Sequence, residues 1–164
     1  MRATVVLLGL LVVTAADADR TIPSVIFVSK SENRNQVRYS VQLDDRCGFA
    51  SRAPVRAYWQ MLEKGPTAVE PLLDREESAY GIARQQVVGT SVVVWLRALP
   101  ARQIMIRVTR AADGTCSAAA EATIAGQQAR LESIYVALAF LHVDHMTLQG
   151  VLADGRNVSE RIDP

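Results

Sequence analysis

Apolar and polar residues alternate with a period of two along much of the chain. In segment 37–43 (VRYSVQL) every second residue is apolar, and segments 55–61 and 103–109 repeat this pattern. Successive side chains of a β-strand point to opposite faces, so the alternation predicts antiparallel strands with one face in water. Segment 91–98 (SVVVWLRA) is apolar almost throughout, which predicts a central strand.

Turn-forming residues separate these strands. The pairs Asp113-Gly114 and Asp154-Gly155 are typical of tight hairpins. Further strands are predicted at 25–30, around 80–88, and at 115–124, 131–142, 145–153 and 157–162. The spacing predicts an all-β fold, an antiparallel β-sandwich or a small closed barrel of roughly 8–10 strands with one short helix.

The one helical segment is predicted over residues 68–79 (AVEPLLDREESA). Pro71 fits the first turn of a helix, and Leu72, Leu73 and Ala79 would share its inner face. The acidic residues would then face solvent, and the helix would pack over one end of the sheet.

The first eighteen residues have the pattern of a signal peptide. Arg2 is followed by an uncharged apolar stretch over 4–15, and Ala16-Asp17-Ala18 predicts cleavage before Asp19. An uncleaved membrane anchor is the alternative, although the stretch is short for a span. The prediction is a signal peptide at 1–18, a single β-rich domain at 19–164 with no further membrane span, and a periplasmic or secreted location.

Composition and cysteine content refine this interpretation. The chain is 49% apolar and 21% charged, which is typical of a folded domain with a core. Its net charge of +1 gives no reason to expect a nucleic-acid partner. Cys47 and Cys116 are the only cysteines, and an oxidising compartment favours a disulfide between them over two free thiols.

Six short motifs follow one another in an order typical of a known family. They are Pro54–Trp59 (PVRAYW), Ala79–Ile82 (AYGI), Ile124–Leu131 (IAGQQARL), Ile134–Val136 (IYV), Leu148–Val151 (LQGV) and Asn157–Ile162 (NVSERI). Together they resemble the bacterial domain-of-unknown-function family numbered 4833, from about Val25 to Ile162. The resemblance implies a small exported β-rich protein, and it implies no particular mechanism.

Three aromatic residues around the predicted helix are candidates for ligand binding. Tyr58 and Trp59 precede the helix and Tyr80 follows it. These rings could line a pocket for an apolar or sugar-like ligand beneath the helix. The alternative is that they pack in the core, with their hydroxyl groups bonded at its rim.

The segment His142-Val143-Asp144-His145 contains side chains that bind metals. Imidazole and carboxylate are suitable ligands for zinc. On a regular strand, His142 and Asp144 lie on one face and His145 on the other, so a three-ligand site requires a bulge or a strand end. The alternative is a strand end or turn whose polar groups contact solvent.

The sequence shows no nucleophile–base motif, phosphate-binding loop or dinucleotide fingerprint. It therefore predicts no cofactor and leans against an enzyme. The leading hypothesis is a non-catalytic domain of the cell envelope that binds an unknown ligand or an envelope protein. One alternative is a β-barrel carrier of an apolar small molecule or lipid, and another is a metal-dependent hydrolase.

Overall fold

The structure, a computed structural model, describes residues 20–140 and 142–164. Within them, eleven strands and one short helix follow in the order β1 (Arg20–Lys30), β2 (Asn33–Leu43), β3 (Val55–Gln60), β4 (Val69–Pro71), α1 (Asp74–Tyr80), β5 (Ile82–Val88), β6 (Ser91–Leu96), β7 (Leu99–Arg110), β8 (Cys116–Ile124), β9 (Gln127–Ala139), β10 (His142–Val151) and β11 (Asn157–Ile162). The predicted signal peptide lies outside these residues. Within the described ranges, no helix is long and apolar enough to cross a membrane.

Strand β9 is the junction of the sheet. Residues 127–130 of β9 pair with β8, and residues 133–136 pair with β1, while β10 pairs along the opposite edge. One arm therefore runs β1-β2-β3-β4 and the other runs β8-β7-β6-β5. The pairing of β1 with β9 is parallel, so the sheet is mixed and not purely antiparallel as predicted. Alternation reveals which face a residue occupies, but it does not reveal which strand lies beside it.

The sheet is open. It has eleven strands and not the predicted eight to ten, because the short edge strand β4 lies in the segment that was predicted to be helical.

Both arms contribute to one hydrophobic core. Ile26 and Val28 of β1 belong to the same buried cluster as Val92 and Val94 of β6. The alternation predicted for the strands therefore identifies the core face correctly.

The predicted helix over 68–79 is wrong in its bounds. Residues 69–71 form β4, in which Pro71 pairs with Tyr58, and the helix begins only at Asp74. Proline lacks a backbone donor and is tolerated on an edge strand such as this one. Leu73 is 68% exposed, and the side chain that faces the core from α1 is Tyr80.

The predicted disulfide is confirmed. Cys47, in the loop between β2 and β3, is bonded to Cys116 at the start of β8, and the two are 69 residues apart in sequence. The bond therefore joins the two arms of the sheet.

Both predicted Asp-Gly turns are also present, with Gly114 and Gly155 at positive φ, which glycine adopts without strain.

Candidate functional site

A cleft of about 250 Å³ opens where helix α1 covers the end of the first arm. We call it the α1 cleft. Its walls are formed by side chains from β1, β2, β3, β4 and α1, together with their adjoining loops. These side chains are Lys30, Asn35, Trp59, Met61, Glu70, Pro71, Leu73 and Glu76.

The register of the strands places Trp59 and Glu70 on the core side of the sheet. Val28 pairs with Val37, Val37 with Trp59, and Trp59 with Glu70, so these four share one face. Lys30 lies two residues beyond Val28 and therefore belongs to the same face. The α1 cleft is thus the open end of the hydrophobic core, where polar side chains replace apolar ones.

Trp59 and Tyr80, two of the three predicted aromatic residues, lie together. Their ring centres are 5.8 Å apart and the ring planes meet at 71°, an edge-to-face packing. The Tyr39 hydroxyl donates a hydrogen bond of 2.6 Å to the Tyr80 carbonyl oxygen. Tyr58 faces the other side of β3, where its hydroxyl donates to the Pro23 carbonyl oxygen. Tyr58 is therefore not part of the α1 cleft.

Burial affects the hydroxyl groups of the tyrosines near α1. Burial raises the pKa of Tyr39, and it also raises the pKa of Tyr80, with smaller contributions to Tyr80 from Glu32 and Glu76. For Tyr58, burial raises the pKa and nearby Arg38 partly offsets the effect. All three hydroxyls therefore remain protonated at neutral pH.

The two acidic side chains of the α1 cleft have different partners. Glu70 forms an ion pair with Lys64. Glu76 accepts a hydrogen bond of 2.8 Å from the Leu73 N–H and lies in no ion pair with any described residue. Glu76 thus contributes an unneutralised negative charge to the wall.

Lys30 contributes the opposite charge. Its Nζ lies 5.0 Å from the centre of the Trp59 ring, a cation–π contact. Among the residues that the structure describes, no carboxylate oxygen lies within 4.0 Å of this ammonium group. The cleft wall therefore contains an ammonium group and a carboxylate that are not paired with each other.

The indole of Trp59 has a polar atom without a partner. Trp59 is 7% exposed, and its Nε1 is buried with no hydrogen-bond acceptor in residues 20–140 or 142–164. A buried donor without an acceptor costs roughly 1–3 kcal/mol, and native proteins contain few of them. Because this atom is closed off from solvent, a ligand in the cleft does not reach it, and the Trp59 ring contributes its apolar and π surface instead.

The predicted metal-binding residues lie at the start of β10. The pairing with β9 is irregular between Val143 and His145, so Asp144 occupies a bulge. The His145 Nδ1 lies 2.7 Å from Asp144 Oδ2, and this hydrogen bond, with charges that include Arg161, lowers the pKa of Asp144. His142 is exposed.

No group of three metal-binding side chains is found in the described part of the chain. The guanidinium group of Arg161, 3.7 Å from Asp144, places a positive charge where a cation would bind. Metal binding by His142, Asp144 and His145 remains a prediction.

A larger open groove of about 940 Å³ crosses the outer face of β6 to β9. Its central charges are already paired, since Arg107 lies 3.3 Å from Glu121. Eight of its wall residues are apolar, but no aromatic ring lines the groove; these eight are Val93, Met105, Ala119, Ala122, Ala129, Val151, Leu152 and Ala153. The α1 cleft has the more specific chemistry.

Of the residues in the cleft wall, sequence reasoning identified Trp59 but missed Lys30, Glu70 and Glu76, and the predicted Tyr80 packs against Trp59 without lining the wall. A signal for Lys30 was present, because Ile26, Val28 and Lys30 have the same parity along β1. A lysine at the third core-facing position indicates the place where the core opens to solvent. For Glu70 and Glu76 the predicted helix bounds obscured the signal, since both residues were assigned to one solvated face.

Comparison with known proteins gives one match. No curated protein and no solved structure matches the chain. The family model described as a domain of unknown function, DUF4833, matches residues 26–161. The matched residues include every wall residue of the α1 cleft and both cysteines. This match confirms the resemblance seen in the motifs. The chain belongs to the DUF4833 family.

Proposed function

We propose that this chain is a non-catalytic, exported β-domain that binds a small ligand in the α1 cleft. The observation that supports this function is the pair of unneutralised charges in the cleft wall, because Lys30, which lies on the Trp59 ring, and Glu76 have no ion-pair partner among the described residues. Aromatic walls with a few convergent polar groups are typical of ligand sites. The wall contains no serine, cysteine or histidine, and so no hydroxyl or thiol nucleophile activated by an imidazole base.

The disulfide supports an extracytoplasmic location, because a bond such as Cys47–Cys116 persists in oxidising compartments.

The arrangement of the arms favours a sandwich over a barrel. Apolar side chains of β1 and β2 share a core with those of β6 and β7, in the space where a barrel carrier would need its cavity. Val37, Tyr39, Ile104 and Ile106 are all fully buried there. The α1 cleft, at the end of this core, is therefore the better ligand site.

The test is ligand-observed NMR with a set of small fragments on the purified protein. A Leu73→Phe variant enlarges an exposed wall residue, and Val69→Phe is its matched control, because Val69 is similarly exposed and lies outside the wall. We expect fragments that bind the wild type and Val69→Phe but bind Leu73→Phe at least about tenfold more weakly, a loss of about 1.4 kcal/mol.

Two results would overturn the proposed function. One is the absence of any fragment that binds the folded wild-type protein. The other is binding that Leu73→Phe leaves unchanged, which would place the ligand elsewhere on the molecule.

A further inference from the structure

The α1 cleft presents two opposite charges that do not neutralise each other. Lys30 and Glu76 both line the cleft, and no ion pair joins them. The other wall carboxylate, Glu70, is neutralised by Lys64. A ligand with a single charge would satisfy one of the two free groups and leave the other unpaired, at a cost in desolvation. A ligand with both charges would satisfy both groups.

The charge of each free group indicates which part of the ligand it binds. The Lys30 ammonium lies on the Trp59 ring and has no carboxylate partner among the described residues. An ammonium group donates to a carboxylate, and a carboxylate accepts from an ammonium group. Lys30 therefore suits a ligand carboxylate, and Glu76 suits a ligand ammonium group.

The apolar wall and the volume restrict the rest of the ligand. Met61, Pro71 and Leu73 provide apolar surface in the wall. The volume of about 250 Å³ lies below the roughly 300–1,000 Å³ of pockets for drug-sized ligands. A single amino acid with an apolar side chain fits these limits.

We infer that the α1 cleft binds a free α-amino acid with an apolar side chain, its carboxylate held by Lys30 and its ammonium group by Glu76. This inference rests on the proposed function, because it names the class of ligand for the same site.

The experiment compares four probes of one shape that differ in charge. They are L-leucine, 4-methylpentanoate, isoamylamine and isoamyl alcohol, which carry both charges, only the negative one, only the positive one, and none. Binding is measured by calorimetry on the full domain. It is also followed by fluorescence of a Trp95→Phe variant, in which Trp59 is the one remaining tryptophan. We expect L-leucine to bind at least about tenfold more tightly than each of the others, because hydrogen bonds to charged groups are strong.

Two variants test which wall residue binds each charged group of the ligand. Lys30→Met keeps an apolar stem over Trp59, and we expect it to remove the preference for L-leucine over isoamylamine. Glu76→Gln keeps an acceptor for the Leu73 N–H, and we expect it to remove the preference over 4-methylpentanoate. Arg34→Met and Glu77→Gln are matched controls outside the wall that should keep both preferences. Circular dichroism checks the fold, and Lys30→Gln replaces any Lys30→Met protein that fails to fold.

The results separate this inference from the proposed function. Equal binding of L-leucine and isoamyl alcohol, abolished by Leu73→Phe, would overturn the amino-acid inference and leave a cleft for neutral ligands. Binding of L-leucine that neither Lys30→Met nor Glu76→Gln weakens would also overturn it. Failure of all four probes and of the fragment set would overturn both proposals.

Discussion

Tyr39 connects the core of the first arm to the wall of the α1 cleft. Its side chain is fully buried, and its hydroxyl donates to the carbonyl oxygen of Tyr80, the last residue of α1. Tyr80 in turn packs against Trp59. One hydroxyl in the core thus fixes the position of the helix that covers the cleft.

Replacing Tyr39 with phenylalanine should therefore destabilise the protein. The change leaves the Tyr80 carbonyl oxygen without this donor, and we expect a loss of about 1–3 kcal/mol in the free energy of unfolding, measured with urea. Tyr135→Phe is the matched control, because the Tyr135 hydroxyl forms no side-chain hydrogen bond to another described residue. Equal stability of Tyr39→Phe and wild type would show that this bond contributes nothing.

At the scale of single residues, the sequence predicts the burial of a side chain better than its hydrogen bonds. Tyr39 was identified as a core residue from alternation, but its hydrogen bond depends on where α1 ends, which alternation cannot show. Gln60 was expected to face solvent, yet it is buried because the loop after β3 folds over it and accepts from its amide at Pro66 and Ala68. A loop's path depends on tertiary contacts that no local pattern records.

At the scale of elements, Glu160 connects β11 with strand β7 and with the turn between β8 and β9. One of its carboxylate oxygens lies 2.6 Å from the Arg102 guanidinium of β7. The other accepts a hydrogen bond of 2.7 Å from the Ala125 N–H, in the turn between β8 and β9. Ala125 has a positive φ of 49°, which is uncommon for a residue other than glycine, and the bond helps to hold it there.

This arrangement predicts a dependence of stability on pH. Partial burial acts to raise the pKa of Glu160, but the Ala125 N–H and Arg102 outweigh it and hold the pKa below its ordinary 4.5. A carboxyl group whose pKa is lower in the folded state stabilises the protein above about pH 4.5 and loses this contribution as the pH falls through the folded value. We expect Glu160→Gln to be less stable than wild type by about 1–2 kcal/mol at pH 7.

Urea unfolding measured between pH 7 and pH 3 tests this expectation. The difference in unfolding free energy between Glu160→Gln and wild type should shrink as the pH is lowered. The control is Glu132→Gln, because Glu132 pairs with Arg130 on the exposed surface, where ion pairs contribute little. A difference that stays constant over this range would contradict the role assigned to the charge of Glu160.

The strands themselves were mostly predictable, and the region around α1 was not. Alternation located β2, β3 and β7, because each has one buried and one exposed face. Residues 68–79 contain several strong helix formers, namely alanine, leucine and glutamate, yet the first part pairs with β3 as β4. That pairing is set by the return of the chain over residues 61–68, so tertiary contact overrides local propensity here.

At the scale of the whole molecule, Gln85 joins the free edges of the two arms. Its amide donates to the Val55 carbonyl oxygen at 3.3 Å, and its amide oxygen accepts from the Val55 N–H at 2.9 Å. A side chain of β5 thus bonds the backbone of β3 as a neighbouring strand would. It does so without closing the sheet.

Gln85→Ala should separate these edges. It leaves the Val55 N–H and carbonyl oxygen without these partners, and we expect a loss of about 1–3 kcal/mol in unfolding free energy. Hydrogen exchange of the Val55 amide should also become faster. Gln86→Ala, at an exposed neighbouring position, should change stability by less than about 0.5 kcal/mol. A Val55 amide that exchanges equally slowly in Gln85→Ala would refute the bridge.

The disulfide joins the same two arms by a covalent bond. Its loop of about 70 residues predicts a stabilisation of about 4 kcal/mol from the reduced entropy of the unfolded chain. A reductant should therefore lower the urea midpoint of the wild type. The double variant Cys47→Ser/Cys116→Ser should start from the lower midpoint and show no response to reductant. An equal response of both proteins would mean that the reductant acts elsewhere.

The parallel pairing of β1 with β9 has a consequence for the order of folding. Residues 27–30 meet residues 133–136, so the first described strand finds this neighbour only after more than a hundred residues have been synthesised. Contacts so distant in sequence slow folding, because the intervening chain must lose entropy before they form. The hairpin of β1 and β2 can form early, but the edge of β1 that β9 covers stays open in the meantime. A nascent chain of this protein therefore exposes an unpaired strand edge, which other chains can pair with, until β9 has emerged.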